Sequence, residues 1–119
     1  MHELGVAFHI IKEINKIAQE NGVEKINSVT LQLGEVSTVI PAYLTDVWNW
    51  AVKKEKVLKD ASLKIEEIKA VTFCEDCKQE YPTVQFGKIC PYCNSENTYL
   101  VTGNEFIIKE LEAVDSARL

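Results

Sequence analysis

The sequence contains no apolar run that approaches the roughly 20 residues a helix needs to cross a bilayer. Its first residues carry no basic flank leading into a signal-peptide core. Basic residues are also few, since 13 Lys and Arg stand against 18 Asp and Glu and leave a formal charge of −5. Nucleic-acid binding draws mostly on a basic face. These absences predict a cytoplasmic protein that neither enters a membrane nor binds nucleic acid as its main task.

The composition is that of an ordinary folded protein. Of the 119 residues, 46% are hydrophobic and 26% are charged, which argues against intrinsic disorder. A chain of this length forms one compact domain, or one domain with a small satellite.

Hydrophobic spacing predicts the order helix, strand, helix, strand over the first part of the chain. Apolar residues recur at helical spacing between Glu3 and Asn21, and they alternate with polar residues in a strand from Ile26 to Leu33. Pro41 opens a second helix that is expected to reach about Lys56. A second strand follows from Ala61 to Ile68. The stripe expected to be buried on the first helix comprises Leu4, Ala7, Phe8, Ile11, Ile14 and Ala18.

The segment from Ala70 to Gly103 has a different composition, because Cys, Pro, Gly and Tyr replace most of the aliphatic residues. It is too poor in aliphatics to build a core of its own. After it, Glu105 to Leu111 reads as a strand that returns to complete the sheet begun near Ile26. The predicted division is therefore a main domain of residues 1–69 plus 104–119, with residues 70–103 inserted before the last strand.

All four cysteines lie in this insert, in two pairs with two residues inside each pair. Cys74 and Cys77 are separated from Cys90 and Cys93 by twelve residues, enough for a hairpin that brings the pairs together. Four thiolates in a tetrahedron favour Zn²⁺ in a closed, structural site. Metal binding would then supply the folding free energy that burial cannot supply.

Two other uses of the cysteines remain open on spacing alone. Four cysteines can form two disulfides in three connectivities, although the lack of a secretory signal favours a reducing compartment. The same four thiolates would also hold an iron–sulfur cluster or a rubredoxin-like iron. Catalytic zinc is disfavoured, since four thiolates leave no open position for water.

The first three residues, Met1, His2 and Glu3, also have metal-binding potential. His2 is too large for ready removal of the initiator methionine, so the Met1 amine is expected to be free. That amine, the His2 amide nitrogen and the His2 imidazole are consecutive nitrogen ligands, a set that suits square-planar Ni(II) or Cu(II). Glu3 would add an oxygen or orient the imidazole.

A solvated histidine with no role is the competing interpretation of His2. His9 projects to the same exposed face of the first helix, seven residues on and therefore about 10 Å away. That distance is too great for both to bind one ion, and His9 is interpreted as a surface residue.

Taken together, these motifs resemble the HypA/HybF family of hydrogenase nickel-incorporation proteins over nearly the whole chain. The segments that carry the resemblance are Met1-His2-Glu3-Leu4, Gly34-Glu35-Val36-Ser37 followed by Pro41, Cys74-Glu75-Asp76-Cys77, Cys90-Pro91-Tyr92-Cys93 and Gly103-Asn104-Glu105-Phe106.

The resemblance implies a nickel metallochaperone, not an enzyme, that serves NiFe-hydrogenase maturation and in some organisms urease. Nickel would be held by Met1, His2 and Glu3, and zinc by the two cysteine pairs. The implied fold is α+β, with two helices packed on a three-stranded sheet and a small zinc-ribbon-like domain before the last strand. Implied partners are a HypB-like nickel-handling GTPase, the hydrogenase large subunit and urease accessory proteins, with the chain either a monomer or a homodimer.

Two functions from other classes compete with metal delivery. A zinc-ribbon adaptor would bind partners without carrying nickel, but an adaptor for nucleic acid is disfavoured because residues 74–98 contain two lysines and four carboxylates. A metal-dependent hydrolase lacks an open zinc site with a partnered base.

Overall fold

A computed structural model describes residues 3–114 of the chain. Its elements, in chain order, are α1 (Glu3–Asn21), β1 (Ile26–Gly34), α2 (Pro41–Ala51), a 3-10 turn (Val52–Lys54), β2 (Ser62–Ile68), β3 (Val71–Cys74), β4 (Glu80–Pro82), α3 (Thr83–Phe86), β5 (Thr98–Thr102) and β6 (Phe106–Ala113). None of the helices within residues 3–114 has the length and apolarity to cross a membrane.

The strands form two sheets of three strands each, in the orders β2-β1-β6 and β4-β3-β5. The predicted α+β architecture is confirmed, since the last strand joins the sheet begun near Ile26 and the small β4-β3-β5 sheet lies in the chain before it. Contacts group the described residues into two units. The first comprises residues 3–31, Thr38–Glu66 and 107–114, and the second comprises Gln32–Ser37 and Glu67–Phe106. No sequence pattern predicted that Gln32–Ser37 belongs to the second unit. The division into functional domains at residues 70–103 stays a prediction.

The core of the first unit is built from α1, α2 and the central strand β1. Helix α2 begins at Pro41 as predicted, but it ends at Ala51 and continues only as the 3-10 turn, so the expected end near Lys56 is too late. The fully buried side chains of this core include Ile10, Ile14, Ile26, Val29, Leu31, Leu44, Trp48 and Leu58.

The buried stripe of α1 differs from the predicted one. Leu4 and Phe8 are 45% and 47% exposed, whereas Val6 and Ile10 are buried together with Ala7 and the residues that follow at helical spacing. The apolar residues of α1 cover more than one face, so spacing alone could not decide which edge of the stripe meets the sheet. Phe8 instead lies edge-on to Trp50, with 6.4 Å between ring centroids.

Two glycines of the second unit allow its backbone segments to approach closely. The Gly34 N–H donates to the Glu105 carbonyl and the Val36 N–H to the Gly103 carbonyl, both at 2.8 Å. A Cβ on Gly34 would collide with the Gly103 carbonyl, and one on Gly103, at φ +121°, would collide with Ala70. Both positions therefore require glycine.

Two carboxylates complete this arrangement by accepting hydrogen bonds from backbone. The Glu35 side chain accepts the Ala70 N–H at 2.8 Å, and the Glu105 side chain accepts the Gly103 N–H at 2.7 Å. The Gly-Glu and Gly-Asn-Glu motifs of the sequence thus hold the places where the chain enters and leaves the 70–103 segment.

Trp48 is the largest fully buried side chain of the first unit, and its indole N–H donates to the Ala61 carbonyl at 2.9 Å. Trp50, two residues on, is 53% exposed. The two tryptophans are a matched pair for measuring what burial contributes.

We expect Trp48→Phe to lower the free energy of unfolding by about 2 kcal/mol, because it leaves a void and an unpaired buried carbonyl. Trp50→Phe should change it by less than about 0.5 kcal/mol. Urea unfolding of the zinc-loaded protein, followed by far-UV circular dichroism, measures both. Equal losses for the two variants would contradict the assignment of Trp48 to the core.

Candidate metal centres

The four cysteines lie at equivalent places in two turns. Cys74 ends β3 and starts a turn that contains Cys77, while Cys90 and Cys93 occupy a second turn before β5. Antiparallel pairing of β3 with both β4 and β5 places the two turns at the same end of the small sheet.

The two turns have the same internal hydrogen bond. The Lys78 N–H donates to the Cys74 carbonyl at 2.9 Å, and the Asn94 N–H donates to the Cys90 carbonyl at 2.8 Å. The residue after each pair has a positive φ, 62° at Lys78 and 61° at Asn94. This reversal folds each Cys-x-x-Cys segment back on itself, so that both sulfurs of a pair point to one place.

The sulfur positions fit a tetrahedral metal centre. Sγ–Sγ distances are 3.6 Å for Cys74–Cys93 and 3.5 Å for Cys77–Cys90, and the four sulfurs all lie within 4.8 Å of one another. Four sulfurs about 2.3 Å from a zinc ion would be about 3.8 Å apart. All four cysteines are free, so the disulfide alternative is not seen. The cluster is suited to zinc binding.

The thiols of this cluster differ in acidity. The Cys77 backbone N–H, assisted by that of Asp76, lowers the pKa of Cys74 to about 7. Burial raises the pKa of Cys77. The Ser95 N–H acts to lower the pKa of Cys93, but burial and the neighbouring cysteine sulfurs outweigh it and raise that pKa to about 12. Because Cys77 and Cys93 hold their protons more firmly than ordinary thiols, binding of a metal by this cluster would release protons.

Asp76, inside the first cysteine pair, joins the two turns. Its carboxylate accepts hydrogen bonds from the Ser95 hydroxyl and, at 3.4 Å, from the Asn97 side-chain amide. The Ser95 bond is the main reason that the pKa of Asp76 lies below its usual value, followed by the Asn97 bond. Ser95 also accepts the Asn97 backbone N–H at 2.9 Å.

Tyr81 packs against the inner side of the cluster. It is 2% exposed and forms a small buried cluster with Cys74 and Cys90. Its hydroxyl donates to the Gly87 carbonyl at 2.9 Å. So small a core confirms that this segment has little apolar surface to bury.

Of the three predicted nickel ligands, Glu3 is the one that the structure describes, because Met1 and His2 lie outside residues 3–114. Glu3 is the first residue of α1, and its carboxylate accepts the Ile40 backbone N–H at 2.9 Å. Ile40 is the N-cap of α2 and has no side-chain capping bond. Glu3 thus supplies the acceptor at the start of α2. His9 is exposed on α1, as expected.

Several of these contributors were not identified from the sequence. No metal-ligand spacing includes Asp76, Ser95 or Asn97. An Asp inside the first Cys-x-x-Cys pair and a Ser after the second pair could nevertheless have indicated a hydrogen bond between the two turns. The bond between Glu3 and Ile40 joins residues 37 positions apart, and no local pattern predicts it.

The fold and the four-sulfur cluster define a small metal-binding protein with a zinc-ribbon-like unit. A family model described as "Hydrogenase/urease nickel incorporation, metallochaperone, hypA" matches residues 1–113. The hydrogenase maturation factor HypA of Moorella thermoacetica is 32% identical over 108 residues, which cover 91% of this chain and 95% of that protein. HybF of Klebsiella pneumoniae is 29% identical, covering 94% of this chain and 98% of that one.

The solution structure of the Ni metallochaperone HypA from Helicobacter pylori matches with a TM-score of 0.70 at 28% identity, covering 96% of this chain and 98% of that one. The chain belongs to the HypA family of nickel metallochaperones for hydrogenase and urease nickel incorporation.

We expect Asp76→Ala to speed the transfer of zinc from the loaded protein to a chelator by about tenfold, because the two turns lose their link. Glu75→Ala removes the same charge from the neighbouring exposed position and should leave the rate within about twofold of the parent. A chromogenic chelator follows the release. Similar rates for both variants would show that only charge, and not the bonds to Ser95 and Asn97, matters.

Proposed function

We propose that the chain carries Ni(II) at its N-terminus and delivers it during maturation of NiFe-hydrogenase. The Met1 amine, the amide nitrogen and imidazole of His2, and Glu3 form the nickel site. The observation that carries the proposal is the family match over residues 1–113, which includes this N-terminal motif. The bond from Ile40 to Glu3 supports it, because the residue that follows His2 is then held in place at the start of α2.

The second part of the proposal is a structural zinc ion on Cys74, Cys77, Cys90 and Cys93. Zinc supplies folding free energy here rather than chemistry, since four sulfur ligands leave no position for water. The lowered pKa of Cys74 and the N–H donors of the two turns prepare the thiolates for a dication. The proposed nickel site is then built from nitrogen and oxygen ligands, and the proposed zinc site from sulfur ligands.

A terminal site made of backbone nitrogens and one imidazole suits a carrier. Nickel, as the cargo, must be held firmly enough to exclude competitors and still be released to the next protein. A receiving protein approaches a chain end directly and displaces the ligands one at a time. The amine, amide and imidazole take up protons as they leave the metal, so delivery is coupled to proton uptake.

The remaining features of the proposal follow from this role. The protein acts without catalysis, in the cytoplasm. Its partners are a HypB-like nickel-handling GTPase, the hydrogenase large subunit and, where urease is present, urease accessory proteins. It acts as a monomer or a homodimer.

We expect His2→Ala to abolish the binding of one Ni(II) per chain while zinc content is unchanged, because the imidazole and its chelate ring are lost. His9→Ala is the matched control, since it removes the exposed histidine of α1. Equilibrium dialysis with metal analysis measures both ions. Undiminished nickel binding by His2→Ala would refute the N-terminal site, and the absence of nickel binding by the parent protein would favour the zinc-ribbon adaptor.

We expect nickel affinity to fall as the pH drops from mildly alkaline to mildly acidic values. Protons compete with nickel for the amide and the amine, which have the higher proton affinities, and then for the imidazole of His2, whose ordinary pKa near 6.5 makes it sensitive around neutrality. Isothermal titration calorimetry across this range, with zinc content measured in parallel, records the change. A constant nickel affinity would contradict a site made of nitrogens that must each lose a proton.

A further inference from the structure

An open groove lies in the second unit, none of the four cysteines lines it, and the metal sites do not account for it. Its volume is about 740 Å³, within the range of about 300 to 1,000 Å³ that is usual for ligand pockets. The floor and walls are largely apolar and come from Ala70, Val71, Tyr81, Pro82 and Val84. The space exceeds one side chain, so it suits a short segment of polypeptide.

One wall of this groove is apolar and is not covered by any other part of the described chain. Val84 is 63% exposed on the four-residue helix α3. Apolar surface left in water forgoes about 25 cal/mol for each Å² that burial would remove from solvent. Covering this wall therefore favours an occupant with a large apolar side chain.

The rim of the groove is acidic. Glu35 and Glu80 line it together with Lys69. The Lys69 ammonium is already paired, at 2.9 Å with Glu67 outside the lining and at 3.7 Å with Glu35, which leaves Glu80 as the lining carboxylate without an ion pair to Lys69. The whole second unit contains seven carboxylates and three lysines, a formal charge of −4 before any thiolate is counted. An occupant is attracted if it carries Lys or Arg beside its apolar residue.

The geometry points to a docking groove for a partner protein segment in which a large apolar side chain is flanked by basic residues. The apolar side chain lies against Pro82 and Val84, and its basic neighbours lie near Glu80 and Glu35. None of the proposed nickel ligands is among the residues that line the groove, and the inference goes beyond nickel binding. It gives the zinc-ribbon-like unit a recognition role in addition to its metal.

The test uses the full zinc-loaded chain and fluorescein-labelled peptides. The probe is acetyl-Gly-Arg-Leu-Phe-Arg-Gly-amide, with one control peptide that replaces Leu-Phe by Ser-Ser and another that replaces both Arg by Glu. Anisotropy gives affinities, and amide chemical shifts locate the site. We expect saturable binding of the first peptide, weaker binding of both controls, and shift changes centred on Val71, Tyr81 and Val84.

Charge variants provide a matched comparison on the protein. Glu80→Lys should weaken binding of the first peptide by about fivefold or more, because it reverses a charge at the rim. Glu96→Lys makes the same change at an exposed position outside the groove and should stay within about twofold of the parent. Val84→Ser should also weaken binding, with Val101→Ser as its exposed apolar control.

The following results of the peptide experiments would overturn the inference. They are the absence of saturable binding up to about 1 mM peptide, equal affinity for the Ser-Ser peptide, equal losses for Glu80→Lys and Glu96→Lys, and shift changes outside the groove. Concentration-dependent dimerisation that shifts the same amides would identify a second copy as the occupant and would also contradict it. Binding of arginine amide as tight as that of the peptide would indicate a small-cation site instead. Zinc content and nickel stoichiometry, measured on every variant, separate these outcomes from a failure of the metal sites.

Discussion

The convergence of four cysteine sulfurs is the constraint on which the second unit depends. The buried apolar residues of that unit are Leu33, Ala70, Cys74, Tyr81 and Cys90, which is far less than a domain of this size needs to fold by burial alone. Its remaining order comes from short strands, two turns with the same hydrogen bond, and the Asp76 link between them. Unpaired thiolates in such a cluster repel one another, and a bound dication turns that repulsion into attraction. A metal bound by these sulfurs would therefore be part of the fold.

Acidic side chains that accept hydrogen bonds from backbone N–H groups recur through the molecule. Glu35 holds Ala70, Glu105 holds Gly103, and Glu3 holds Ile40. Each bond satisfies a donor at a place where a strand or helix begins or a segment turns, and bonds to an ionised acceptor are stronger than neutral ones. Three of the motifs that resemble the family, those that contain Glu3, Glu35 and Glu105, thus hold backbone segments in place through hydrogen bonds. Glu3 is both one of these acceptors and a proposed nickel ligand.

Much of the fold could be predicted from the sequence because the spacing of hydrophobic residues is clear and Gly, Pro and Asn residues mark the ends of its elements. Helix α1 has the predicted limits, β1 extends one residue further than predicted, and the cysteine spacing indicated the sulfur cluster. The errors have physical causes. Apolar residues on several faces of α1 hid which edge of the stripe is buried, and nothing in the spacing marks the change from α-helix to 3-10 turn after Ala51. Long-range bonds such as that from Ile40 to Glu3 depend on packing, which no local pattern records.

The central claim is that two metals occupy two chemically different sites in one small chain. X-ray absorption at the nickel and zinc edges of the doubly loaded protein tests this claim most directly. The account predicts nickel surrounded by nitrogen and oxygen in a planar arrangement, with no sulfur neighbour, and zinc surrounded by four sulfurs. Sulfur scattering at the nickel edge, accompanied by loss of zinc, would show that nickel enters the cysteine cluster and would contradict the account.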